Sequence, residues 1–179
     1  MKARKPMLVT LLACALVLVA CTVPAWVNTV EADAEVAAPI AGSLIDVIDS
    51  ALAPLVTLIE NGFTALAKTL DTYKASPTAT NLQAVQSAFA AVNANVAQLE
   101  SAAQIKNTNT QNTVTAVVAL LSQAVTEIAA LVPPATAAKM GALPESRGPN
   151  HVARGWKAKD FKREFNKIVK GDKRFKELK

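Results

Sequence analysis

Histidine occurs once in this chain and cysteine twice, which removes most of the means of building a transition-metal site or a nucleophile–base pair. The one histidine, His151, stands in a Pro- and Gly-rich stretch with no cysteine or second histidine near it. Aromatic residues make up 4% of the chain, so its core must be built mainly from Ala, Val, Leu and Ile. Charge is scarce where soluble helices normally carry it: from Thr78 to Val132 the ionisable residues are Glu100, Lys106 and Glu127 alone. No window alternates apolar and polar residues for long enough to suggest a sheet. A Gly-rich phosphate loop, a G-x-S-x-G elbow and a metal-spaced set of carboxylates are all missing. Asp46 and Asp49, three apart, fit acids placed at the start of a helix better than a catalytic pair. These absences argue against an enzyme and against a bound metal or cofactor.

What the chain does have is helical periodicity from Ile40 to Val132. Leu82, Val85, Phe89, Val92, Val96, Leu99 and Ala103 follow a 3-4 spacing that lays them on one seam, and Ser76-Pro77 before them reads as an N-cap and first helical residue. Val114, Val117, Leu121, Ala124, Ile128 and Leu131 form a second seam, opened by a polar run around Asn107 and stopped by Pro133-Pro134. Leu44 to Tyr73 carries a third, in which Pro54 forces a kink or break and Gly62 is a second weak point. Short polar turns make neighbours antiparallel. The expected fold class is therefore all-α: an antiparallel three- to four-helix bundle, with a flexible linker and a short basic C-terminal helix.

Charge is divided along the chain. Residues 22–132 hold three basic and nine acidic residues, net −6, whereas residues 156–179 hold ten basic and four acidic, net +6. In that tail Phe161, Phe165 and Ile168 share one helical face, Lys and Arg take the others, and Gly171 is a stop. Phe175 and Leu178 could continue the apolar stripe after a turn. Either the tail docks on the acidic body through its aromatics, or it adheres to an anionic lipid or cell-wall polymer through Trp156, Lys157, Lys159, Phe161, Lys162, Arg163, Phe165, Lys167 and Lys170. Nucleic acid suits these residues chemically but is the least expected of these partners. The nearly uncharged Ala/Thr/Asn face of the body is covered within the bundle, by a second protomer, by a partner or by membrane.

The N-terminus explains why export is expected. Lys2, Arg4 and Lys5 precede an uncharged run to Ala20 that is shorter than a spanning helix, and Leu18-Val19-Ala20-Cys21 closes it. That ending resembles the lipobox of bacterial lipoproteins. The resemblance implies cleavage before Cys21, acyl chains on Cys21 as the anchor, and a place in the cell envelope. Thr22 lacks the aspartate that retains some lipoproteins at the inner membrane, which points to the outer membrane. The resulting division is 1–20 signal peptide, 21–39 lipidated tether, 40–132 helical bundle, 133–155 Pro/Gly linker and 156–179 basic tail. Trp26 in the tether would rest at the membrane interface or dock on the body. The expected function is that of a structural or binding lipoprotein with a basic tail on an anionic surface. The alternative is an accessory or inhibitor protein that docks a partner through the uncharged helical face.

Overall fold

The computed structural model describes residues 23–103, 111–134 and 155–179, and within them the chain is all-helical. Helices α1 (Ala25–Gly42), α2 (Ala53–Ala75), α3 (Ala79–Ala103), α4 (Gln111–Leu131) and α5 (Ala158–Val169) follow in that order. Contacts run α1–α2, α2–α3, α3–α4 and α1–α4, closing a four-helix bundle, and α5 packs outside it against α1 and α4. The bundle is the expected antiparallel one. Its core is made of Val30, Ile40, Phe63, Val92, Leu99, Leu121 and others like them, all nearly inaccessible to water.

Residues 21–39 were expected to be a tether, and the structure corrects this from Ala25 onward. Val27, Val30, Ala34, Ala37 and Ala41 recur every three or four residues and are buried as one face of α1. The acids between them and the flanking prolines hid this seam. Pro24 only precedes the helix, while Pro39 lies one turn from its end on the exposed side, where one missing donor costs little. Trp26 takes the docking alternative: its ring lies 5.8 Å from Tyr73 and packs on the core.

The chain between α1 and α2 does not form the first part of a long helix. Ser43–Leu52 is a series of turns, so Asp46 and Asp49 are not in a first helical turn; Asp49 accepts a hydrogen bond from Ala51 N–H at 3.0 Å instead. Pro54 sits at the start of α2, where its lost donor has no helical partner to miss. Gly62 is no weak point. α2 passes straight through it, and a Cβ there would stand 2.8 Å from Val92 Cγ2, so glycine is what lets α2 and α3 approach. The start of α3 is also shifted: Thr78, not Ser76, caps it, its hydroxyl accepting from Asn81 N–H at 3.2 Å. Ser76 ends α2.

The predicted seams of α3 and α4, as far as their side chains are described, point inward with two exceptions. Phe89 is only half-buried and Leu131 is 37% exposed. α4 buries more than one seam, adding Val118, Leu120 and Val125, because α1, α3 and α5 all contact it. By length and apolarity residues 112–131 could cross a membrane; here 44% of that stretch is buried, its apolar seams facing the bundle interior. Gln86 ties α3 to the end of α4, its amide donating to Pro133 O at 2.7 Å, and Ser122 donates to Glu100 at 3.0 Å.

Candidate functional site

The basic tail folds as a helix with a returning segment. Asp160 starts α5: its carboxylate accepts Lys157 N–H at 3.1 Å and lies 2.9 Å from Arg163. That backbone hydrogen bond, helped by Arg163, holds its pKa below the usual value. Gly171, at φ 89°, reverses the chain after α5 as only glycine does easily. Asp172 then accepts two bonds from the Arg174 guanidinium, at 2.9 and 2.5 Å, which lower its pKa to about 2. The last residues run back along α5. Asn166 clamps them, its Oδ1 accepting Leu178 N–H at 2.8 Å and its Nδ2 donating to Leu178 O at 3.0 Å, while Lys162 donates to Lys179 O.

The apolar side of this unit faces the bundle. Phe161, Phe165 and Val169 on α5 are buried, as is Phe175, whose ring meets Phe165 edge-on at 6.4 Å. Ile168 and Leu178 pack half-buried beside them. Trp156 is half-buried with its ring 5.4 Å from Phe161. Of the nine residues predicted to meet an anionic surface, Phe161 and Phe165 are thus committed to the protein interior, and Trp156 partly so. The basic members remain outside: Lys157, Lys159, Arg163, Lys167 and Lys170 are exposed and Lys162 partly exposed.

Arg163 pairs with Asp160, and Lys167 with Glu164 at 3.3 Å. Both cations are well exposed, so water screens these pairs and they add little to stability. Lys157, Lys159, Lys170, Lys173 and Lys176 have no carboxylate within ion-pair distance among the described residues. Lys173, Arg174 and Lys176 belong to the same surface but were not among the predicted residues; they continue the basic run past Gly171, and that run was the signal for them.

The tail has a defined direction. Asp33, midway along α1, feels Glu127, late in α4, and Ala158, the first residue of α5. At the other end Asp172 lies beside Thr113, near the start of α4. α5 therefore runs antiparallel to α4 and parallel to α1. Lys157 and Lys159 stand toward the end of the bundle where α1 begins, and Lys170, Lys173 and Lys176 toward the opposite end.

Asp33 itself was not foreseen as anything but tether. It is 1% exposed, and burial first, then the Glu127 charge, raise its pKa to about 6; the Ala158 N–H pulls the other way without either oxygen completing a hydrogen bond. Burial also raises Glu127. No group of three or more His, Cys, Asp or Glu suited to a metal ion occurs among the described residues. Cys21, His151 and most of the 133–155 linker lie outside the described residues. Comparison of the chain with protein-family models, with curated proteins and with solved structures finds no match.

Proposed function

We propose that this protein is a lipid-anchored component of the bacterial cell envelope, on the outer membrane by the reading of Thr22, whose docked tail offers a fixed cationic surface to an anionic polymer or lipid. The observation that carries this reading is the group of exposed lysines that have no carboxylate partner among the described residues, held on an ordered helix-and-return unit. With the aromatics turned inward, attraction would be chiefly electrostatic, at roughly 1 kcal/mol per Lys or Arg near an anionic membrane. The placement of the lysines fits a bridging role. α1 begins at Ala25, close after Cys21, so acyl chains on Cys21 would hold that end of the bundle against the bilayer. Lys170, Lys173 and Lys176 lie at the opposite end, separated from it by roughly the 30 Å length of a helix like α4.

Two measurements test this. Fatty-acid labelling should be lost in Cys21→Ser; persistent label removes the anchor. Sedimentation of the full chain with purified wall material, and with phosphatidylcholine vesicles with and without phosphatidylglycerol, should show binding that falls as salt rises. Lys170→Gln/Lys173→Gln/Lys176→Gln should weaken it several-fold, and equal binding would remove these lysines from the mechanism.

A second reading keeps one observation of its own. Leu58 is 56% exposed on α2, and Gln83, Ser87, Ala90, Ala94, Ala97 and Ser101 make an exposed, uncharged face on α3. That face suits partner docking. If Leu58→Glu or Ala94→Glu abolishes function while the lysine variant is normal, this reading replaces the first.

A further inference from the structure

Asp33 is the charged side chain buried in the described core, and neither of its oxygens has a hydrogen-bond partner there. It sits on α1 where α4 and α5 meet it. From α4 comes Glu127, a second carboxylate, and from α5 the Ala158 N–H at the helix N-terminus. Among the described residues no cation answers it. Lys157 and Lys159 at the start of α5 are exposed, Asp160 is taken by Lys157 N–H and Arg163, and the ionic contact from α2 to α1 goes from Lys74 to Glu31 at 2.6 Å. Glu35 on α1 is exposed.

A carboxylate in this position is comfortable only while protonated; ionised, it needs water. α1 and α4 cannot easily part to admit water, because each also packs against another helix of the closed bundle, whereas α5 touches α1 and α4 alone. Lifting α5 is the smallest movement that would hydrate Asp33. We propose that α5 and the returning segment after Gly171 form a latch, seated in the α1–α4 groove when Asp33 is protonated and shifted toward a lifted state when Asp33 and Glu127 are both ionised. Lifting turns Phe161, Phe165, Val169 and Phe175 outward on the unit that carries the lysines. The surface changes from purely cationic to basic and amphipathic, the chemistry that enters an anionic bilayer interface. The balance turns near pH 6, where burial and Glu127 place the Asp33 carboxyl.

This inference goes beyond the proposed function and does not depend on it, since the seated tail already exposes its lysines and the latch needs no lipid. Hydrogen exchange read by mass spectrometry on the full chain in detergent tests it, with rates corrected for the intrinsic pH dependence of exchange. Between about pH 4.5 and about pH 7.5, protection of the α5 amides should fall by up to about 100-fold while that of α2 and α3 holds, because a shift of about two pKa units in one group can move an equilibrium by that much. Asp33→Asn should make α5 protection independent of pH, and Glu127→Gln should make the fall smaller and complete at lower pH, by removing one of the two causes that raise the Asp33 carboxyl. An unchanged wild-type profile, the same profile in Asp33→Asn, or loss of protection in α2 and α3 together with α5 would each overturn the latch.

Discussion

α3 and α5 lie on the same molecule and are built on opposite plans. α3 has one ionisable residue, Glu100, in 25 positions; α5 has six in 12. α3 buries a narrow seam of Leu and Val against two neighbours and leaves Ala, Ser, Asn and Gln outside, so its stability comes from close approach of small residues. α5 buries two phenylalanines completely and puts all of its polar character on the other side. The difference teaches where each helix gets its order. α3 belongs to a closed ring of four helices and is held from both sides, while α5 rests on one surface and depends on a few large side chains to stay there.

The largest effects should separate the two regions. Phe165→Ala should cost the seating of α5 about 3–5 kcal/mol, and Leu121→Ala should cost the bundle about 2–5 kcal/mol, both by opening a cavity. In denaturant titrations with hydrogen exchange, Phe165→Ala should strip protection from α5 and spare α2 and α3, whereas Leu121→Ala should lower all of them. If Phe165→Ala weakens every helix equally, α5 is part of the same cooperative unit and the contrast fails.

Next in size is Asp33, on the surface that α5 covers. Its folded pKa is raised, so its contribution to stability is full below the ordinary value of 3.8 and is lost as pH rises through about 6. Asp33→Asn should therefore stabilise the folded protein by about 1–3 kcal/mol at neutral pH and do little at about pH 3. Thermal melts at both pH values check this, and destabilisation at neutral pH would mean the carboxylate is better satisfied than its surroundings indicate.

An effect of similar size belongs to the other side of the bundle. Gly62→Val should cost roughly 1–3 kcal/mol, since even a Cβ would press on Val92. The smallest concerns Lys74, held between Glu31 at 2.6 Å and Asp71 at 3.2 Å and partly open to water. Lys74→Met should lower the thermal midpoint only slightly, and that loss should shrink in salt.

The same contrast decides how much could be read from the sequence. Apolar periodicity identified the seams of α3 and α4 almost residue by residue, because a helix in a bundle must repeat its buried face every three or four positions. It gave the two faces of α5 for the same reason, but not what its apolar face packs against, since opposite charges of body and tail permit docking without requiring it. α1 was missed because its seam is made of Val and Ala, weakly apolar and interrupted by Glu31, Asp33 and Glu35. That error also hid Asp33, whose burial follows only once α1 is recognised as a helix between α2, α4 and α5. Thr78 displaced Ser76 as cap because Pro77 and the geometry of a tight connection between α2 and α3 delay the start of α3, a tertiary matter invisible to a local motif. The lysines of the candidate surface were legible as a basic run; which of them lack a partner was set by Asp160, Glu164 and Asp172, each claiming a nearby arginine or lysine.

The bundle holds the tail's aromatic side, and by the proposed function its lysines are what would face a partner. Binding of the full chain to purified wall material and to phosphatidylglycerol vesicles, measured across a salt series for wild type and for Lys157→Gln/Lys159→Gln/Lys170→Gln/Lys173→Gln/Lys176→Gln, tests it most directly. The account predicts strong, salt-sensitive binding by wild type and at least a tenfold loss, about 1.4 kcal/mol or more, in the variant. Binding that is unchanged in the variant and indifferent to salt would contradict it.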